Sequence, residues 1–187
     1  GPAVDVRRFE RFNGGADVTV TAAADTLIQT LVINGLNLPG QALVTMTADH
    51  GLAPGTFVSL HDIPLTNVAS ISNVARAGGI VNVDTSGPHG LTVGAIIQLI
   101  SVSDATFNVG TTVLQVISPT TFTFAQVDTD ATSSGGSVLL AWPFPNTGAN
   151  SVPGSVFEVQ SCPTKASFSI NINYSDGTWA GGGVTIP

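Results

Sequence analysis

Apolar and polar residues alternate with a period of two along much of this chain, as in half-buried strands. Val18 and Val20 alternate with Thr19 and Thr21. The run Leu27–Ile33 has a helix-compatible length, but its β-branched content and the Asn34-Gly35 turn after it predict a strand. Further along, Ile80–Val83 alternates, Ile96–Ile100 reads as a buried strand, and Thr112–Ile117 as another. Phe122 and Phe124 share one face of Thr121–Ala125, and the polar stretch Asp128–Gly136 leads into a strand at Val138–Leu140. Near the end, Val156–Gln160 and Ala166–Tyr174 are strand candidates; Phe168, Ile170, Ile172 and Tyr174 fall on one face of the second. Asp176-Gly177 then signals a hairpin.

One pattern occurs twice. Without a gap, Val44, His50-Gly51-Leu52, Gly55 and Leu60 align with Val83, His89-Gly90-Leu91, Gly94 and Leu99. In both copies a strand ends, His-Gly turns the chain with the glycine free to take positive φ, and the leucine drops into the core. A second glycine turns the chain again into the next strand. The pattern thus predicts an all-β protein in three parts. Residues 3–70 form an N-terminal β segment, 71–140 a small β-barrel or sandwich module, and 141–187 a C-terminal β segment. The module is inserted in, or follows, a second β-sandwich-like domain, which the two end segments are expected to build together.

Composition agrees and narrows the function. Only 9% of the 187 residues are charged, 43% are hydrophobic, and there are 21 glycines and 11 prolines. That suits short strands and tight turns and argues against a helical bundle or a disordered chain. The net charge of −7, with one lysine (Lys165), makes nucleic acid and anionic membrane surfaces unexpected partners. The longest apolar runs, such as Val138–Trp142, are far too short to span a bilayer as a helix. Gly1-Pro2 reads as a remnant of a cleaved tag, with no signal peptide after it. The single cysteine, Cys162, has no disulfide partner and no zinc-ligand set around it, and is expected to pack as a small hydrophobe.

The module also carries a resemblance. It runs from Ile71 to Val83, through the His89-Gly90-Leu91 corner with Gly94, and then Val102–Asn108. Thr120-Thr121-Phe122-Thr123-Phe124 and the closing Ala131–Val138 segment, with Gly135-Gly136, complete it. This resembles the His-Gly-Leu β modules of tailed-bacteriophage virion proteins, found in tail, fibre, baseplate and head-surface components. It is more distantly similar to the β-barrel insert in the first catalytic cysteine half-domain of ubiquitin-activating enzymes. The usual pattern places Gly directly after Asn, whereas here Val109 separates Asn108 from Gly110. No activity comes with the resemblance. It implies a virion location and a structural role.

Candidate chemistry is sparse. His50 and His61, with Asp49 and Asp62 beside them, could be drawn as a metal site, but the spacing matches no ligand pattern. Since His50 and His89 occupy equivalent corners, a role in capping backbone carbonyls is expected instead. Glu10 and Glu158 are the only glutamates, and most aspartates sit in turns, which leaves no carboxylate pair for glycoside hydrolysis. No G-x-S-x-G elbow is present, and Gly181-Gly182-Gly183 lacks the Lys-Ser/Thr of a phosphate loop. No catalytic residue, cofactor or metal is therefore assigned.

Two sets of partner-contacting residues are candidates. Arg7, Arg8, Phe9, Arg11 and Phe12 could form an arm anchored on a neighbouring protein, and Trp142, Tyr174 and Trp179 could stack on a sugar ring. The expectation is a non-enzymatic virion structural protein on the head (decoration or head fibre) or the tail (fibre or baseplate). It would contact other virion proteins and self-associate, with a trimer favoured. The alternative is a carbohydrate-binding host-attachment module of a tail fibre or adhesin, with host-surface glycan as partner.

Overall fold

The structure, a computed structural model, describes residues 26–35, 37–61, 63–143 and 156–186. The alternating segment at Val18–Thr21 and the candidate arm Arg7, Arg8, Phe9, Arg11 and Phe12 lie outside the described residues. Among those described, the protein is all β, with fourteen strands and one 3₁₀ turn, Ala105–Phe107. The strands are β1 (Thr26–Ile33), β2 (Gln41–Met46), β3 (Phe57–His61), β4 (Thr66–Ala77), β5 (Ile80–Thr85), β6 (Ile96–Ile100) and β7 (Gly110–Thr112). They continue as β8 (Gln115–Ser118), β9 (Thr121–Ala125), β10 (Ala131–Ser133), β11 (Ser137–Leu140), β12 (Val156–Thr164), β13 (Ser167–Asn171) and β14 (Gly177–Ile186).

The strands form two bodies. An outer barrel closes in the order β1-β14-β3-β12-β13-β2, drawing its strands from both ends of the described chain. Between β3 and β12 lies an inner unit, an eight-stranded sheet ordered β7-β6-β11-β4-β5-β9-β8 with β10 paired to β4. Alternation fills both interiors: Ala42, Val44 and Met46 of β2 point inward in one, and Val81, Val83 and Thr85 of β5 in the other. Strand β4 starts at Thr66 and runs unbroken past residue 71, so it lies wholly in the inner unit.

Four sequence expectations are corrected. The segment Thr112–Ile117 is not one strand. It breaks at Val113–Leu114, where Val113 N–H bonds Ala95 O and Leu114 N–H bonds Thr123 O. The chain thereby leaves β6 and joins β9, bringing the two ends of the inner sheet round to meet. The polar stretch Asp128–Gly136 contains a strand, β10, whose alternation was hidden by its Thr and Ser. Asp176-Gly177 is not a hairpin: β13 pairs with β12 and β2, whereas β14 pairs with β1 and β3. The Ala166–Tyr174 run correspondingly stops being strand at Asn171, and residues 172–176 cross to another part of the barrel.

The two bodies are copies of one design. Strands β1, β2, β3, β12, β13 and β14 correspond to β4, β5, β6, β7–β8, β9 and β10–β11. The register irregularity between Ile28 and Thr30 in the β1–β2 pair recurs between Ile71 and Asn73 in β4–β5. Gly55 N–H bonds Val159 O at 2.8 Å, as Gly94 N–H bonds Val113 O at 2.8 Å. Val159 N–H returns to Thr56 O, as Val113 N–H returns to Ala95 O. The Gly35 amide is held by Asp176 Oδ1 at 2.9 Å, and the Gly78 amide by Asp130 Oδ1 at 3.0 Å. Even the terminal strand aligns, Thr178, Gly181-Gly182 and Val184 with Thr132, Gly135-Gly136 and Val138. The short repeat visible in sequence is thus one part of a whole-barrel repeat, with the second copy nested inside the first.

Candidate functional site

The two His-Gly-Leu corners are built alike. His50 Nδ1 accepts the Leu52 amide at 2.9 Å, and His89 Nδ1 accepts the Leu91 amide at 3.0 Å. Each imidazole packs edge-on against a phenylalanine: Phe168 at 5.4 Å and 81°, Phe122 at 5.3 Å and 78°. Gly51 and Gly90 take φ of 65° and 64°, and Gly55 and Gly94 take 87° and 84°, backbone that any other residue adopts only with strain. An Nδ1 that accepts an amide proton is the neutral ring carrying its hydrogen on Nε2. His50 Nε2 then donates to Ser167 O at 3.2 Å, so both nitrogens of His50 are engaged with backbone. His50 thus caps a backbone carbonyl, as expected, and both corner histidines also cap an amide, which was not expected.

At His89 the second contact is looser. Nε2 lies near the Ser118 and Thr121 carbonyls without reaching hydrogen-bond geometry. Burial holds the His89 imidazolium below its ordinary pKa of 6.5, against the opposing pull of those two carbonyls. The unfolded chain therefore takes up the proton first. The His89 contribution to stability is fully present above pH 6.5 and declines as pH falls below it. Thermal unfolding between pH 7.5 and 5 is expected to show this decline, reduced in His89→Gln; parallel curves for the two proteins would refute it.

The corners differ in what covers them. The inner corner is capped by the loop between β13 and β14. Ser175 Oγ accepts the Thr92 amide at 2.9 Å, and Asp176 N–H donates to Gly90 O at 3.2 Å. The Tyr174 hydroxyl accepts from Ile96 N–H and donates to Ala141 O, both at 3.0 Å. Thr66 Oγ1 adds a bond to Thr178 O at 2.6 Å. This joint fixes the outer barrel to the inner one. Burial raises the Tyr174 phenol above its ordinary pKa of 10, so it stays a donor at neutral pH.

The outer corner carries no such cap among the described residues. It is an open groove of about 390 Å³ lined by Asp49, His50, Leu52, Cys162 and Lys165 among others. Cys162 is half-buried against the core, as expected of a small hydrophobe, with its thiol 3.5 Å from Leu52 O. With both ring nitrogens committed to backbone, His50 is no base for that thiol.

A second feature was not legible in sequence. Arg76 is 3% exposed, on β4 where the outer barrel has Ile33. Its Nε donates to Thr129 O at 2.7 Å, Nη1 to Gln126 Oε1 at 2.9 Å and Nη2 to Thr106 Oγ1 at 3.3 Å. The guanidinium lies 4.6 Å from the Phe107 ring centre, with Asp128 at 3.8 Å. The planar fork holds loop 126–130 in one conformation, a task lysine could not perform. Asp104, which caps the 3₁₀ turn, is pulled below its ordinary pKa by hydrogen bonds from the Thr106 amide and hydroxyl.

The aromatic candidates are placed in the interior. Trp179 is 1% exposed and Trp142 5%, and the two rings meet edge to face at 5.7 Å, with Phe157 beside Trp142 at 6.1 Å. Neither offers a free face to a sugar, and Tyr174 is half-buried in the joint. The side chain of His61, and Asp62 entirely, lie outside the described residues. Among those described, no group of three His, Cys, Asp or Glu side chains is placed to hold a metal, and no helix is long and apolar enough to cross a membrane. No family model, curated protein or solved structure matches the chain.

Proposed function

We infer that this chain is a non-catalytic structural unit of a tailed-bacteriophage particle, at the surface of the head or tail, where it holds contacts with neighbouring virion subunits. The observation that carries this reading is the repeated barrel with its loop-into-corner joint: the fold is a stackable part, joined to its own copy by backbone and hydroxyl contacts. The residue types that could do chemistry are used structurally at those places. His50 and His89 shape corners, Ser175 and Asp176 make the joint, and Arg76 fixes a loop. The resemblance of residues 71–140 to virion β modules supplies the setting.

Mass spectrometry of purified particles of the encoding phage, followed by reconstruction of the particle, tests this. The chain is expected at a regular, symmetric position on the head or tail. Its absence from intact particles would overturn the reading, and hydrolysis of host polysaccharide by the isolated chain would replace it with an enzymatic one.

A further inference from the structure

The nested repeat leaves two surfaces of known complementarity without a counterpart among the described residues. Within the chain, the loop after β13 of the outer barrel docks on the corner of the inner barrel. The equivalent loop of the inner barrel, 127–130, is exposed, and so are Gly51 and Ala53 of the equivalent outer corner, with His50 buried and Leu52 half-buried between the core and the groove.

The chemistry of the joint is retained in both. Thr129 stands where Ser175 stands and keeps the hydroxyl that accepts the corner amide. Asp130 stands where Asp176 stands and, like it, anchors the loop on its own barrel by holding a glycine amide. On the corner, Gly51 O and Ala53 N–H are the counterparts of Gly90 O and Thr92 N–H, which take the two joint bonds; the Ala53 amide has only a long bond to its neighbour Thr56 Oγ1, 3.4 Å, which an incoming hydroxyl has to displace.

The surroundings suit the match. Phe57, the counterpart of Ile96, is 62% exposed beside the outer corner, and Val127 at the inner loop is 96% exposed. Lys165, the only lysine, lines the groove together with Asp49, and the loop carries Asp130 and Asp128, the latter beside Arg76, so the two surfaces meet without a clash of like net charges. The Arg76 fork holds the exposed loop in shape, which lowers the ordering cost of docking.

We propose that copies of this chain associate head to tail, the Thr129–Asp130 loop of one copy occupying the His50–Ala53 corner of the next. The contact is heterologous, so it closes into a ring or extends into a row according to the rotation between copies. Between separate chains it lacks the tether of the internal joint, so assembly rises with concentration. The proposal deepens the structural reading above and is separable from it, since a chain that is monomeric in solution can still occupy a particle lattice.

Sedimentation velocity over a concentration series tests it, using Ala53→Glu to block the corner and Thr129→Glu to block the loop. The unaltered chain is expected to form multimers and each variant to stay monomeric. An equimolar mixture of the two variants is expected to form dimers and nothing larger, because one intact corner and one intact loop remain between them. A chain carrying Ala53→Cys and Thr129→Cys in a Cys162→Ser background is expected to give an interchain disulfide ladder on oxidation, a readout that does not depend on the glutamate variants folding. A monomer at every concentration, multimers indifferent to both variants, or monomers alone after oxidation would each overturn the proposal.

Discussion

Gly136→Ala is expected to cost about 4 kcal/mol or to prevent folding outright. Gly136 has φ of 90°, and a Cβ there would lie 2.7 Å from Val102 N and 2.9 Å from Ser101 C, and closer still to Ile100 O. All three are backbone atoms, so no side chain can rotate away. The opposing segment is itself constrained, because Ser101 holds φ of 58°. The neighbouring Gly135→Ala makes the control. That glycine also has positive φ, 77°, but its Cβ would meet only Ser103 Oγ at 3.8 Å, so the expected loss is the conformational cost alone, about 1–2 kcal/mol. Denaturant unfolding of the two variants measures the difference; equal losses would show that the close approach is not what demands glycine at 136.

Trp179→Ala is expected to cost about 4 kcal/mol, the middle of the range for a large aromatic removed from a packed interior. Trp179 lies on β14 of the outer barrel and meets Trp142 edge to face, where the chain leaves the inner barrel. Gly177 separates it from Leu140: a Cβ at Gly177 would fall 2.9 Å from indole Cη2 and 3.1 Å from Leu140 Cδ2. The cavity would therefore open on the side where the two barrels face each other. Urea unfolding followed by circular dichroism checks the loss, with Trp179→Phe expected to retain more than half of the stability that alanine removes. A loss under about 1 kcal/mol for alanine would mean that the site collapses or that the indole is not packed as described.

Strand alternation carried most of the fold, for physical reasons that also explain the misses. Segments Leu27–Ile33, Ile96–Ile100 and Val138–Leu140 lie in strands because one face of each meets a core and the other is less buried. In Thr121–Ala125 the two phenylalanines mark the core face even though Thr123 between them is buried too. Strand β10 escaped notice because its Ala-Thr-Ser sequence has too little apolar contrast, and pairing with β4 makes it a strand regardless. The break at Val113–Leu114 reflects barrel closure, a tertiary demand with no local sequence signal. The repeat is recognisable in sequence across 44–60 and 83–99, where His-Gly-Leu is a distinctive marker. A second gap-free match, Phe168, Asp176, Thr178, Gly181-Gly182 and Val184 with Phe122, Asp130, Thr132, Gly135-Gly136 and Val138, carries only common residue types. Many equivalent positions are unlike: Ile33 and Arg76, Lys165 and Pro119, Trp179 and Ser133. What such positions share is backbone geometry. The joint was hidden for a related reason, since Asp176-Gly177 has the composition of a hairpin turn and only the pairing of β14 with β1 excludes one.

Thr66 at the start of β4 sits opposite Leu140 at the end of β11, so the inserted unit enters and leaves at neighbouring points. During synthesis this has a consequence. The first three strands of the outer barrel emerge long before the last three and wait with open edges while the inner unit completes itself. Once it has, the ribosome's later output is delivered beside the waiting strands, and a long excursion behaves as a short linker. Close spacing of the entry and exit points thus keeps the completion of the outer barrel within one chain, since β12–β14 emerge next to the edges they have to pair with.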